Sequence, residues 1–227
     1  MKLACSSTAF DRQLRNGDLT QLEWIELCAR ELAADGVVFD VAHFPRTDSD
    51  YLAQTKKMCA DLGLTVAALR DDAFFGGDEG RMSQTMEQAM ALGAPLLASQ
   101  LEAETAASWS EVLERLGMAT SLAKRSNVTL AVRNVTQTFA ASTHDLKRVS
   151  KEADSAWLRY GPDFAAFDSA DEPEALLAGT VLAWYCGGPG NTPVRVRALL
   201  RDFRGFLAVD QTAAGPNPTE AFGLLRV

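Results

Sequence analysis

Histidine is nearly missing from this sequence: two in 227 residues, His43 and His144. That scarcity excludes a metal centre built from several imidazoles. Cysteine is almost as sparse. Cys5, Cys28, Cys59 and Cys186 lie far apart, with no Cys-x-x-Cys pair. Neither a zinc site nor a disulfide framework is expected of them, and they read as reduced core residues of a cytoplasmic protein. Positive charge is in the minority, with 22 Lys and Arg against 30 Asp and Glu and a net charge of -8. A broad nucleic-acid surface needs clustered cations, so no nucleic-acid partner is expected. No apolar run approaches the roughly 18 residues of a membrane helix. The opening Met1-Lys2-Leu3-Ala4-Cys5-Ser6-Ser7 is too polar for a secretion signal. The expected setting is the cytoplasm, without a membrane partner. No G-x-G-x-x-G follows the first apolar run, which removes the usual dinucleotide-binding form of an open sheet.

What the chain does have is alternation. Short, nearly continuous apolar runs fit strands covered by helices on a parallel sheet. They fall at 3–7, 36–40, 65–70, 95–101, 128–134, 158–163, 180–186 and 206–210. Between them lie amphipathic stretches. Leu22, Ile25, Ala29 and Leu32 share one face of a first helix, and helices are predicted at 50–62, 79–92, 142–153 and a short 172–177. A longer helix carries Trp109, Val112, Leu113, Leu116, Ala119 and Leu122; Thr192-Pro193 opens another, and 219–227 forms the last. Eight strand–helix units of about 28 residues fit a minimal barrel. The predicted fold is α/β, a (β/α)8 TIM barrel, with 1–227 as a single domain.

In such a barrel the chemistry sits where strands end at their C-terminal side. Those ends bring forward Ser6 and Ser7, Asp40 and His43, Arg70 and Asp71, Gln100 and Glu102, Arg133 and Asn134, Asp163, Tyr185 and Cys186, and Asp210 and Gln211. His144 starts a helix and is expected on the surface. Phe74-Phe75-Gly76-Gly77 is either a lid over the mouth or a loop whose aromatics pack down or contact another subunit. Gly187-Gly188-Pro189-Gly190-Asn191 is either a tight turn or a loop offering backbone N–H groups to a phosphate.

Three segments carry a family resemblance: Lys2-Leu3-Ala4-Cys5-Ser6-Ser7, Asp35-Gly36-Val37-Val38-Phe39-Asp40 followed by His43-Phe44-Pro45, and Ala60-Asp61-Leu62-Gly63-Leu64-Thr65. Together they resemble the xylose isomerase-like TIM barrels, which include sugar and sugar-phosphate isomerases, epimerases and inosose dehydratases. The resemblance implies a divalent metal held by Glu on strand five, Asp on strand six, His on strand seven and Glu on strand eight. This chain has Arg133, Asp163, Tyr185 or Cys186, and Asp210 at those places. A guanidinium cannot ligate a cation and stays charged. The expectation is therefore a degenerate metal site with no family-type metal and no other cofactor, in which Arg133 pairs with Asp163 and Asp210.

Two functions follow. One is a sugar or polyol isomerase or epimerase working without metal or through a rearranged site, with Asp163, Asp210 and His43 as candidate acid–base groups. Arg133, Arg70, Tyr185 and Asn134 would contact its substrate. The other is a catalytically inactive barrel that binds a small anionic metabolite through Arg133 and Arg70, or serves as an interaction subunit. Either way the expected partner is a small sugar or anionic metabolite, with a homo-oligomer left open.

Overall fold

The computed structural model describes residues 1–168, 171–187, 191–210 and 217–226. Eight parallel strands form one sheet in the order β6-β5-β4-β3-β2-β1-β8-β7. They are β1 (Lys2–Ser6), β2 (Gly36–Asp40), β3 (Thr65–Arg70), β4 (Leu96–Gln100), β5 (Thr129–Arg133), β6 (Leu158–Tyr160), β7 (Leu182–Tyr185) and β8 (Phe206–Val209). The pairing of β1 with β8 is parallel. Between β6 and β7 the ladder thins to two bridges, Tyr160 with Thr180 and Asp163 with Trp184. Val181 N–H donates to the Tyr160 carbonyl at 3.1 Å and Trp184 N–H to the Pro162 carbonyl at 2.9 Å. These contacts close the ring, and the fold is a (β/α)8 TIM barrel.

The connecting helices begin where the sequence supplies a cap. Thr20 forms a capping box with Glu23 at the start of α2 (Gln21–Arg30). Asp48 caps α3 (Ser49–Asp61), and Asp78 caps α4 (Glu79–Leu92), which Gly93 ends in the left-handed conformation. Ser108 and Ser142 make capping boxes for α5 (Trp109–Ser126) and α6 (Thr143–Ala153). Thr192 caps α7 (Pro193–Leu199), with Pro193 in the first turn. The predicted sixth helix is instead a 3-10 turn, Pro173–Gly179. Three short elements were not predicted: a 3-10 turn (Ser7–Phe10) and α1 (Asp11–Asn16) after the β1 end, and a 3-10 turn (Val41–His43) after β2. The last helix, α8 (Pro218–Arg226), packs against β8. Among the described residues no helix is long and apolar enough to cross a membrane.

Two apolar clusters divide the interior. The larger joins helix residues such as Ile25, Leu52, Met86 and Leu116 to outward strand residues such as Val37, Leu69, Leu130 and Tyr185. The smaller holds only residues on or beside strands: Ala4, Val38, Ala67, Ala68, Ala98, Ala131, Leu182, Trp184 and Ala208. Side chains alternate along a strand, so the smaller set, apart from Ala67 at the β2–β3 register shift, lines the barrel axis. It is mostly alanine, and the Trp184 indole fills the space that those alanines leave. Gly161 belongs to the same arrangement, since a Cβ there would lie 3.3 Å from Ala131 Cβ and 3.5 Å from Trp184 Nε1.

Close approach also fixes Gly36 at the entry to β2. A Cβ at that position would lie 2.6 Å from the Thr65 carbonyl oxygen and 2.9 Å from Phe206 Cε1. The carbonyl belongs to the neighbouring backbone and cannot swing aside. Gly36→Ala is expected to cost about 1–3 kcal/mol of stability through overpacking. The check is the midpoint of urea unfolding, which an easily accommodated methyl would leave in place.

Candidate functional site

Two residues beyond the alanine layer, the same inward face reaches the C-terminal mouth. Ala4 leads to Ser6, Val38 to Asp40, Ala68 to Arg70, Ala98 to Gln100, Ala131 to Arg133, Trp184 to Cys186 and Ala208 to Asp210. Asp163 joins them through its bridge to Trp184. A strictly local rule, the two-residue period of a strand, has turned an apolar barrel floor into a charged rim.

Arg133 is the hub of that rim. Its Nη2 donates to Asp163 Oδ2 at 2.7 Å, and its Nη1 lies 2.9 Å from Asp210 Oδ2. Only 11% of its side chain is exposed, against 7% for Asp163 and 3% for Asp210. Burial works against the guanidinium charge, but attraction to Asp163 and then Asp210 outweighs it, so Arg133 is held more firmly protonated than in water. Arg70 extends the lattice. Its Nε and Nη2 grip Asp72 at 2.9 and 2.6 Å, and its Nη1 donates to Asp210 Oδ2 and Thr8 Oγ1, each at 3.1 Å. Thr8 in turn donates to Asp210 Oδ1. Both guanidinium groups lie over the Trp184 ring, with Cζ 4.7 Å from its centroid for Arg133 and 5.6 Å for Arg70.

Cys186 completes the cluster, with Sγ 3.0 Å from Asp163 Oδ2 and 3.1 Å from Arg133 Nη2. Burial, then the adjacent Asp163 carboxylate, pushes its thiol far above the usual range. A neutral thiol at working pH is no nucleophile. Among the described residues no group of three or more His, Cys, Asp or Glu side chains is arranged to hold a metal ion.

Not all of the residues singled out from the sequence meet here. His43 is 1% exposed in its side chain and has both ring nitrogens engaged. Nδ1 lies 2.8 Å from Ser7 Oγ and Nε2 lies 2.9 Å from Asp11 Oδ1. Ser7 Oγ also accepts the Asp40 N–H at 2.9 Å. The donor pattern that satisfies every atom has Ser7 donating to Nδ1 and Nε2–H donating to Asp11. His43 is thus tied between β1, α1 and the β2 end, away from Asp163 and Asp210. Tyr185 faces the helix layer, and its strand neighbour Trp184 faces the mouth instead. The tetrapeptide Leu-Ala-Trp-Tyr is buried on both faces, so polarity along it does not reveal which side points inward. Asn134 is spent on backbone, donating to the Asp163 carbonyl at 3.1 Å and accepting its N–H at 2.6 Å. It fixes Asp163 rather than a ligand.

The remaining candidates sort similarly. Asp71 accepts from Thr85 at 2.9 Å and pairs with Arg81, facing away from the Arg70 lattice. Glu102 pairs with Arg115. Phe74 and Phe75 are buried and pack down into the larger core cluster. His144 is exposed as expected. Gly188, Pro189, Gly190 and Gln211 lie outside the described residues. Thr8, Asp11 and Trp184 were missed, and Ser7, a strand-end candidate, was not expected to hold His43. Trp184 shares strand parity with Cys186, but the sequence does not say which parity faces inward.

The Ser7 linkage is testable. Ser7→Ala strands two buried polar groups, His43 Nδ1 and the Asp40 N–H, and is expected to cost about 1–3 kcal/mol. Chemical denaturation measures this, and an unchanged midpoint would show that the linkage contributes nothing.

A family model described as xylose isomerase-like TIM barrel matches residues 25–184. A search of curated proteins by sequence finds no match. Among solved structures, the probable 3-DHS dehydratase AsbF from Bacillus anthracis is similar with TM-score 0.79 and 14% identity, over 100% of this chain and 98% of that one. The 3-keto-D-glucoside 4-epimerase YcjR from E. coli is similar with TM-score 0.74 and 14% identity, over 100% and 98%. A D-psicose 3-epimerase is similar with TM-score 0.74 and 12% identity, over 99% and 90%. At these identities the likeness concerns the fold.

Proposed function

This chain belongs to the xylose isomerase-like TIM barrel family, and from that premise we propose that it binds a small sugar or polyol at its C-terminal mouth without the family's divalent cation or metal-dependent chemistry. One observation carries the reading: Arg133 stands between Asp163 and Asp210 at 2.7 and 2.9 Å. A divalent ion held by those oxygens at about 2.0–2.6 Å would need the space that the guanidinium nitrogens fill. Retaining both cations about 4 Å apart would cost about 8 kcal/mol at an effective dielectric near 20. The residues present do not fit the metal.

Nor do the three candidate acid–base groups suit proton transfer. Asp163 and Asp210 each face a permanent cation, and His43 has no ring nitrogen to spare. The sugar-like ligand class is supported by the epimerases of similar fold, whose names specify carbohydrates. It is supported too by the rim itself, a dense array of hydrogen-bonding side chains over an indole floor. Incubation in D2O with ketoses, aldoses and inositols, with and without Mn2+, tests the reading by NMR. No solvent deuterium should enter carbon positions in either condition. Metal-dependent incorporation would restore an isomerase of the ordinary family type.

A further inference from the structure

The rim holds four carboxylates around two guanidinium groups: Asp40, Asp72, Asp163 and Asp210 around Arg70 and Arg133. Their oxygens can be accounted for one by one. Asp72 gives both to Arg70. Asp163 Oδ1 accepts the Ala165 N–H, and its Oδ2 accepts from Arg133. Asp210 Oδ1 accepts from Thr8, and its Oδ2 is shared by Arg70 and Arg133. Asp40 differs. Its Oδ1 accepts the Ala42 N–H at 2.9 Å, whereas its Oδ2 lies 3.6 Å from Arg70 Nε, whose hydrogen is already given to Asp72. Among the described residues that oxygen has no donor, and the Asp40 side chain remains 13% exposed.

From this accounting we propose that Asp40 is the ligand-contacting carboxylate of the mouth, its Oδ2 accepting a hydroxyl hydrogen from an uncharged polyol. A carboxylate that has lost most of its water without gaining a donor is the group most improved by a ligand hydroxyl. Burial lifts the Asp40 carboxyl above its usual range, as that position requires. Its backbone is braced, since the Asp40 N–H is held by Ser7, which is held by His43. Charge selects the ligand class. Two cations against four carboxylates leave the rim net negative, and the segments 169–170, 188–190 and 211–216 contribute no charged side chain. A phosphorylated sugar would meet repulsion there. The anionic metabolite expected from Arg133 and Arg70 is therefore replaced by a neutral one.

This inference rests on the polyol-binding reading above, and one experiment separates the two. The full chain is titrated calorimetrically with neutral ketoses, aldoses and inositols and with the phosphate esters of the same compounds. Asp40→Asn is run in parallel, because its amide keeps the bond to Ala42 but turns the free acceptor into a donor. A neutral compound should bind, its ester should bind at least 10-fold more weakly, and Asp40→Asn should weaken the neutral compound about 10-fold or more. Equal affinity in the variant overturns the role of Asp40 while leaving the polyol reading intact. Tighter binding of esters overturns the charge argument. Failure of every neutral compound to bind the native chain sinks the polyol reading itself. Should the variant not fold, the 13C carboxyl resonance of Asp40 in the native protein decides, since a ligand hydroxyl on Oδ2 must shift it and an unmoved resonance overturns the proposal.

Discussion

Arg133→Ala is expected to lower the melting temperature by about 10 °C. Removing one partner of a buried ion pair typically costs about 3–5 kcal/mol, because the survivor keeps its charge without compensation. Here two carboxylates, 7% and 3% exposed, lose the same cation. For a chain of this length each kcal/mol shifts the midpoint by about 2–4 °C. Arg133→Lys should recover part of the loss, since an ammonium keeps the charge but lacks the planar fork that spans both acids. Arg133→Glu adds a third carboxylate where the family resemblance implies one, and should be less stable than the alanine variant. Its stability should then rise with millimolar Mn2+, by mass action on a site that only the folded state possesses. Differential scanning fluorimetry with and without the ion reads all of these. A native-like melting curve for Arg133→Ala, or a native chain stabilised by Mn2+ as strongly as the glutamate variant, would contradict the assignment of the guanidinium to the cation's place.

Trp184→Ala is expected to cost about 3–5 kcal/mol, the usual toll of truncating a large buried aromatic. The upper end is favoured here for a geometric reason. The indole is fully buried among Ala4, Ala68, Ala98, Ala131 and Ala208, and these sit on strands whose ladders prevent collapse into the void. The change also removes the ring beneath Arg133 and Arg70, each within 5.6 Å of its centroid. Trp184→Phe should be markedly milder, because the indole N–H has no acceptor among the described residues and its loss costs nothing in hydrogen bonding. Equilibrium unfolding of the two variants makes the comparison. Equal losses would mean that the N–H does have a partner, and a near-native alanine variant would mean that the barrel floor can repack.

The barrel was legible because each of its units repeats the same local grammar. Apolar runs such as Gly36–Asp40 and Thr65–Arg70 appear where strands were predicted, and Ser142 caps α6 through its own side chain. Errors concentrate where neighbours override local preference. The run predicted as 158–163 keeps strand pairing only through Tyr160, because Pro162 has no N–H to donate and the chain rejoins the sheet at Asp163. The sixth helix tightens into a 3-10 turn behind Pro173.

The site was half legible. Strand ends nominated Arg133, Asp163, Asp210 and Arg70, since a polar residue closing an apolar strand in a barrel must emerge at the mouth. The pairing of Arg133 with Asp163 and Asp210 was expected from the strand ends and is found, whereas the bond from Arg70 to Asp210, 140 residues away, was not readable. His43 illustrates the limit. Its sequence position beside Asp40 suggests the mouth, yet Ser7 and Asp11, from the other side of β1, claim both ring nitrogens.

By itself, then, the sequence determined the barrel, its strand ends, and the presence of an arginine where the family resemblance implies a ligand, because periodicity, caps and side-chain type are local properties. The tertiary structure alone decided that Trp184 rather than Tyr185 forms the floor, that His43 is withdrawn, and that Asp40 keeps one oxygen without a donor. Those outcomes depend on inward or outward parity and on hydrogen-bond partners distant in the chain, and neither quantity exists until the sheet has closed.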